Sequence, residues 1–386
     1  LKSEPEDINQ PATRSLRIWV VAGEASGDAR ASELMRELRR LQSGITFHGS
    51  GGPLMQPLAT PPFDNWIAEA GVVGLWDVLR HYPYFRHKFH TALREIRAAQ
   101  PDAVILVDYP GFNLRLAKAL RQQNPGIRLI YYISPQVWAW NRGRIPKMAK
   151  LLDLMICIFP FEKALYESSG LPTVFAGHPL VDELNHEPKT FPREEDLLAF
   201  FPGSREREIK RLFPVMLQAA KRVRKSRPEI RFAAAAARPG QADWMKEQAE
   251  ASGVAIEILT ERAHELMQSA TAGIVCSGTA TLEATFFRLP YCLAYRINWL
   301  TYEVGRRVVT IPYLGIANIL AGKPVVRELI QKDCTPAALA DEALRLLNNP
   351  EARQNLQAEL DEVISSLGGS GAAEKAAKAV LAAGLT

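Results

Sequence analysis

The chain has few cysteines, and nothing in their spacing suits pairing or metal binding. Cys157, Cys276, Cys292 and Cys334 are scattered, and no Cys/His cluster has zinc-ligand spacing. Buried, reduced thiols are expected rather than disulfides. An acidic calcium loop is also absent, so no metal and no cofactor is expected. No apolar run reaches the roughly 18–20 residues of a membrane span, and Leu1–Arg14 lacks a signal-peptide core. Any membrane contact is therefore expected to be peripheral. Low-complexity tracts are missing too, and 47% apolar with 23% charged residues is a folded composition, not a disordered one. The net charge of +5 is mild. It suits an anionic lipid surface, a nucleotide or a nucleic acid, and equally an incidental surplus.

What is present is a repeated strand–turn–helix pattern. A length of 386 residues predicts two domains. In the first half, buried-strand runs at 17–22, 103–107, 129–133 and 154–158 alternate with amphipathic stretches such as Ala29–Leu41 and Phe112–Arg121. A break at Gly177-His178-Pro179 and a polar segment through Asp196 follow, and the pattern restarts at Leu197–Phe201. Pro214 is expected to open a long helix there rather than interrupt one. The pattern predicts an α/β protein of two doubly wound halves with parallel sheets and a cleft between them.

Five segments can carry chemistry. Gly23-Glu-Ala-Ser26-Gly-Asp28 follows the first strand; it is neither GxGxxG nor a P-loop, and Ser26 or Asp28 could equally be a helix N-cap. Asp108, at the end of a buried strand, suits a general base, or else a turn-stabilising carboxylate. In Pro202-Gly-Ser-Arg205, the planar guanidinium of Arg205 suits a diphosphate, whereas Arg207 and Lys210 read as a solvated face. Cys276-Ser277-Gly278-Thr279 with Glu283 one turn on suits phosphate and ribose, against a capping box.

The fifth segment is Trp66 to Phe89. Val72, Leu75, Trp76 and Leu79 fall at helical spacing, Tyr82, Phe85 and Phe89 continue an aromatic face, and basic residues surround them. This reads as an interfacial membrane helix, broken at Pro83, or as an ordinary core helix. His178 is flagged only for its place between the halves, and Trp138 and Trp140 read as packing.

Taken in order, these segments, with Ser134-Pro-Gln-Val-Trp-Ala-Trp140, Phe159-Pro-Phe-Glu162 and Asn318-Ile-Leu-Ala-Gly322, resemble the lipid-A-disaccharide synthase family. The resemblance implies a GT-B fold and a metal-independent hexosyltransferase. It would move 2,3-diacylglucosamine from UDP-2,3-diacylglucosamine to the 6-hydroxyl of 2,3-diacylglucosamine 1-phosphate (lipid X), with inversion and release of UDP. It implies Asp108 as base, Ser26 among the substrate contacts, Arg205 and Ser277–Glu283 on UDP, and Asn318 at the donor site. Trp66–Phe89 would dock on phospholipid at the cytoplasmic face of the inner membrane and admit acyl chains. No nucleic acid is implied, and an oligomer is left open. The expected division is an acceptor- and membrane-facing domain at 1–184, a UDP-sugar domain at 185–350, and helices at 351–386 crossing back. Many relatives carry an acidic residue where Gly111 stands, so no paired carboxylate is implied here. A UDP-N-acetylglucosamine 2-epimerase and a silent lipid binder on the same fold are the rival readings.

Overall fold

The computed structural model describes residues 15–67, 82–185 and 191–384. The first half is a seven-stranded sheet in the order β3-β2-β1-β4-β5-β6-β7. Its strands are β1 (Arg17–Ala22), β2 (Thr46–Gly51), β3 (Phe63–Asn65), β4 (Ala103–Val107), β5 (Arg128–Tyr132), β6 (Leu154–Cys157) and β7 (Thr173–Phe175). The second half is a six-stranded sheet, β10-β9-β8-β11-β12-β13. It comprises β8 (Glu194–Phe201), β9 (Arg231–Ala236), β10 (Glu257–Thr260), β11 (Ala270–Cys276), β12 (Tyr291–Tyr295) and β13 (Glu328–Ile330). Every pairing in both sheets is parallel.

Parallel strands must be buried on both faces, and the sequences meet that demand. All five residues of β4, Ala-Val-Ile-Leu-Val, are buried. The first sheet separates two apolar clusters: Ile18, Val20 and Ile105 lie in one, Trp19, Val21 and Leu106 in the other. One larger cluster unites the second half from Leu197 to Leu367. Strand order reverses between β1 and β4, and again between β8 and β11. These are the switch points where open α/β sheets bind ligands, beyond the carboxyl ends of the strands.

Two chain segments run between the halves side by side. The helix Pro179–Asn185 leaves the first half, and the stretch 367–372 returns to it. The His178 N–H donates to the Leu367 carbonyl (3.1 Å), and the Asp182 carboxylate accepts the Gly371 and Ala372 amides (2.6 and 2.9 Å). The helix Pro350–Ser366 still packs on the second half through Leu356, Leu360 and Val363. The last helix, Ala372–Ala382, places Ala376, Ala377 and Val380 in the core of the first.

One expectation fails in the second half. Pro214 lies inside an unbroken helix, Glu206–Ser226. A proline there removes one backbone bond and costs about 3 kcal/mol. Buried Ile209, Leu212 and Phe213 before it, and Met216, Ala220 and Val223 after it, form one continuous stripe whose burial outweighs that cost.

Candidate active site

Two loops meet at the switch point of the first sheet. Beyond β1 the chain turns through Gly23, and a Cβ there would lie 2.2 Å from Cδ1 of Tyr109, so only glycine lets the two loops close. Beyond β4, Asp108 and Tyr109 are both left-handed, with φ 44° and 48°. Each such non-glycine residue costs about 1–2 kcal/mol. The cost is met by bonds to the main chain. Asp108 N–H donates to the Tyr132 carbonyl (3.0 Å), and the Asp108 carbonyl accepts from the Tyr131 hydroxyl (2.5 Å) and Asn113 Nδ2 (2.8 Å).

The backbone of Asp108 is thus clamped, while its carboxylate does not cap the following helix, Pro110–Gln123, whose N-cap is Tyr109. Burial, and then the charge of Glu24, push the Asp108 carboxyl up to about 6, with the Tyr109 N–H pulling the other way. A carboxylate held just below neutral can accept a proton at physiological pH. Ser26 is exposed in the first turn of the helix Ala25–Leu41, on the adjoining loop, and makes no capping bond. Asp28 is not a cap either: its buried carboxylate accepts the amides of Gly52, Leu54 and Met55 at 2.9, 2.9 and 3.1 Å, and so shapes the loop after β2.

At the second switch point a cavity of about 610 Å³ opens beyond β8 and β11. It brings together Arg205, Ser277, Gly278, Thr279 and Glu283. Gly203 has φ 108°, and any Cβ on it would sit 2.7 Å from the Glu208 carboxylate. Arg205 is the N-cap residue of its helix, 81% exposed, and pairs with Glu208 at 2.9 Å. An exposed pair of this kind is worth at most about 1 kcal/mol, so a diphosphate can take the guanidinium over. Gly278 has φ 146°, and no atom lies within 4 Å of where its Cβ would stand, so a ligand can approach the backbone. It is the N-cap of the helix Thr279–Phe286 and offers no side-chain cap, so the capping-box reading falls. The first amides of that helix lie beside the cavity, a place that suits an anion.

His264 Nε2 lies 3.6 Å from Glu283, and both line this cavity. Neither His264 nor Glu208 belongs to any motif that sequence reading picks out; only the chain path brings them here. Glu24 did lie in a recognisable motif, but its influence on Asp108 across two loops is visible only in three dimensions.

Asn318 and Trp66 are not where their expected roles put them, and His178 lies at the crossing between the halves. Asn318 does not line the cavity around Arg205. It is 1% exposed, with Oδ1 accepting the Val325 and Val326 amides and Nδ2 donating to the Val326 carbonyl and Glu328, all at 2.8 Å. Its hydrogen-bonding capacity is spent on that loop. Trp66 is no lipid-facing residue: it is 1% exposed, donates to the Ala22 carbonyl (2.7 Å), and packs edge-on against Phe85, Tyr109 and Phe112. Phe85 and Phe89 pack against the same core. His178 is half-buried; loss of water around its ring, and then the charge of Arg30, lower its pKa to about 4, and its Nδ1 accepts the Leu180 amide (3.2 Å). It is a neutral part of the interdomain crossing. Val72, Leu75, Trp76 and Leu79 lie outside the described residues, as does the side chain of Tyr82. Among the described residues no helix is long and apolar enough to cross a membrane.

Two parallel sheets, each with a polar loop cluster at its switch point, define a two-domain glycosyltransferase fold of the GT-B kind. The solved structures it resembles include a putative UDP-N-acetylglucosamine 2-epimerase from Listeria monocytogenes, at TM-score 0.59 and 14% identity, covering 95% of each chain. CalG4, the calicheamicin glycosyltransferase, matches at TM-score 0.55 and 14% identity over 96% of this chain and 98% of that one. At such identities the likeness concerns the fold alone. The sequence is more specific. The model of the family described as lipid-A-disaccharide synthetase matches residues 18–383. Lipid-A-disaccharide synthase of Geobacter metallireducens is 39% identical over 376 residues, 95% of this chain and 96% of that protein. The enzyme of that name from Nitrosococcus oceani is 38% identical over 367 residues, 91% and 92% of the two chains. The chain belongs to the lipid-A-disaccharide synthase family and is a glycosyltransferase.

Proposed function

We propose that this enzyme transfers 2,3-diacylglucosamine from UDP-2,3-diacylglucosamine to the 6-hydroxyl of 2,3-diacylglucosamine 1-phosphate, with inversion at the anomeric carbon. The observation that carries the reading is Asp108, a carboxylate on a clamped backbone at the first switch point, with its pKa raised to about 6. It takes the proton of the acceptor hydroxyl as that oxygen attacks the anomeric carbon. The bond from that carbon to the diphosphate breaks, and its electron pair leaves with UDP. Negative charge then grows on the diphosphate, where Arg205 and the amides beyond Gly278 stabilise it most. Glu283 accepts the ribose hydroxyls, and Ser26, on the loop beside Asp108, contacts the acceptor. The first sheet with its helices is thus the acceptor half and the second the donor half.

The lipid substrates require a membrane surface. The segment that includes Val72, Leu75, Trp76, Leu79 and Tyr82, aromatic and flanked by Arg80, His81 and Arg86, is assigned to the cytoplasmic face of the inner membrane. The stereochemistry is tested by the proton coupling at the new anomeric centre. A large axial–axial coupling marks the β linkage of an inverting transfer, and a small one refutes it.

A further inference from the structure

Three sequence motifs take no part in the chemistry above, and the structure gives them a common task. Ser134–Trp140 and Phe159–Glu162 build one wall of an apolar slot of about 320 Å³ between the two halves, and the segment around Asn318–Gly322 builds the other. Trp138, Phe161 and Leu165 face Ile311, Tyr313 and Ile319 across it. Each wall hangs on a carboxylate. Fully buried Glu162 accepts from the Trp138 indole (2.8 Å), the Ser134 hydroxyl and the Phe159 amide (3.1 Å). Glu328 accepts the amides of Leu314 and Gly315 and the Asn318 side chain, at 2.9, 2.9 and 2.8 Å. Thr310 ties the walls together by donating its amide to the Ala139 carbonyl (2.9 Å).

The slot has the size of the smallest ligand pockets and about half the volume of the cavity around Arg205, so it suits a single chain rather than a sugar nucleotide. One exposed cation, Arg142, lines it, and Arg144, Lys147 and Lys150 follow in the chain with no acidic residue from Asn141 to Leu152. Arg144 lies 5.1 Å over the ring of Trp140, which is 43% exposed. An apolar slot with a cationic, aromatic mouth complements an acyl chain attached to an anionic head. The donor's diphosphate already has Arg205 and the Gly278 loop, which leaves the acceptor's phosphate for these cations. We propose that the slot holds one acyl chain of the phosphate-bearing acceptor, with Arg142 meeting its phosphate; this rests on the transfer reaction of the preceding section.

The test fills and empties the slot. Leu165→Trp occupies it and Leu165→Ala enlarges it, while Ile319→Trp repeats the filling from the other wall. The KM of the purified enzyme is measured for acceptors of graded acyl length with one fixed donor, and for donors of graded length with one fixed acceptor. The filling variants are expected to raise the KM ratio of long- to short-chain acceptors by about fourfold per methylene displaced. Leu165→Ala is expected to shift the preferred acceptor length upward, and the donor series is expected to keep its wild-type ratio. A loss equal at all acceptor lengths, a loss that follows donor length, or no change in variants that bind UDP normally overturns the slot. Absence of turnover by the wild-type enzyme with every lipid pair overturns the transfer reaction itself, and the slot with it.

Discussion

Replacing Asp108 by Asn removes one ionisable group and little else. Asn tolerates the left-handed backbone at φ 44° about as well as Asp, and its amide oxygen can keep the bond from the Tyr109 N–H. The main-chain clamp from Tyr131, Tyr132 and Asn113 is untouched. Folding pushes this carboxyl from 3.8 to about 6. At about 1.4 kcal/mol per tenfold change in proton affinity, its charge costs the native state up to about 3 kcal/mol. Above pH 6 folded and unfolded chains both carry the charge, and the folded one carries it less favourably; below pH 3.8 neither carries it. Asp108→Asn is therefore expected to be more stable than wild type by the full amount at pH 8 and by about half of it at pH 5. In a domain of this size the gain at pH 8 corresponds to a rise of about 6–12 °C in the first half's unfolding midpoint. Turnover falls by about 10²–10⁴, because no base receives the acceptor's proton. UDP affinity stays within about twofold by calorimetry, since Arg205 and the Gly278 loop lie on the other sheet. In wild type, kcat/KM falls about tenfold per pH unit below 6, as the base is protonated. Unfolding at pH 5 and 8, UDP release and UDP titration check all three. A pH-independent stability change, or a large loss of UDP binding, refutes the assignment.

Arg205→Ala is expected to weaken UDP binding by about 10–100-fold, the value of charge-assisted bonds to phosphate, and to leave the unfolding midpoint unchanged because the side chain is 81% exposed. Asn318→Ala does the reverse: the Val325 and Val326 amides lose their acceptor, and about 2–4 kcal/mol of stability goes with little change in UDP affinity. An equal loss of UDP binding would return Asn318 to the donor site. Trp76→Ser is expected to weaken co-sedimentation with anionic liposomes by about tenfold, the loss of one apolar anchor, and unchanged binding would place that stripe in a protein core.

The fold was legible because parallel strands leave long apolar runs, and the four that flank the two switch points, ending at Ala22, Val107, Phe201 and Cys276, run into turns that hold glycine, proline or aspartate. The loops proposed to meet phosphate were marked in the sequence by Gly203 and Gly278, which occupy backbone positions that other residues resist. What stayed hidden was the purpose of polar residues with several possible partners. Asn318 and Asp28 read as ligand contacts or caps, yet both spend their bonds on loops more than five residues away. Trp66 belongs to an aromatic stripe in sequence, but the Ala22 carbonyl at the end of β1 draws its indole inward. Pro214 shows local propensity yielding to a continuous buried stripe.

The central claim is tested most directly by mass spectrometry of the purified protein incubated in detergent with UDP-2,3-diacylglucosamine and 2,3-diacylglucosamine 1-phosphate. The account predicts a tetra-acylated disaccharide 1-phosphate formed one-to-one with UDP. Folded, UDP-binding protein that yields no such product, or that instead epimerises UDP-N-acetylglucosamine without any lipid, would contradict it.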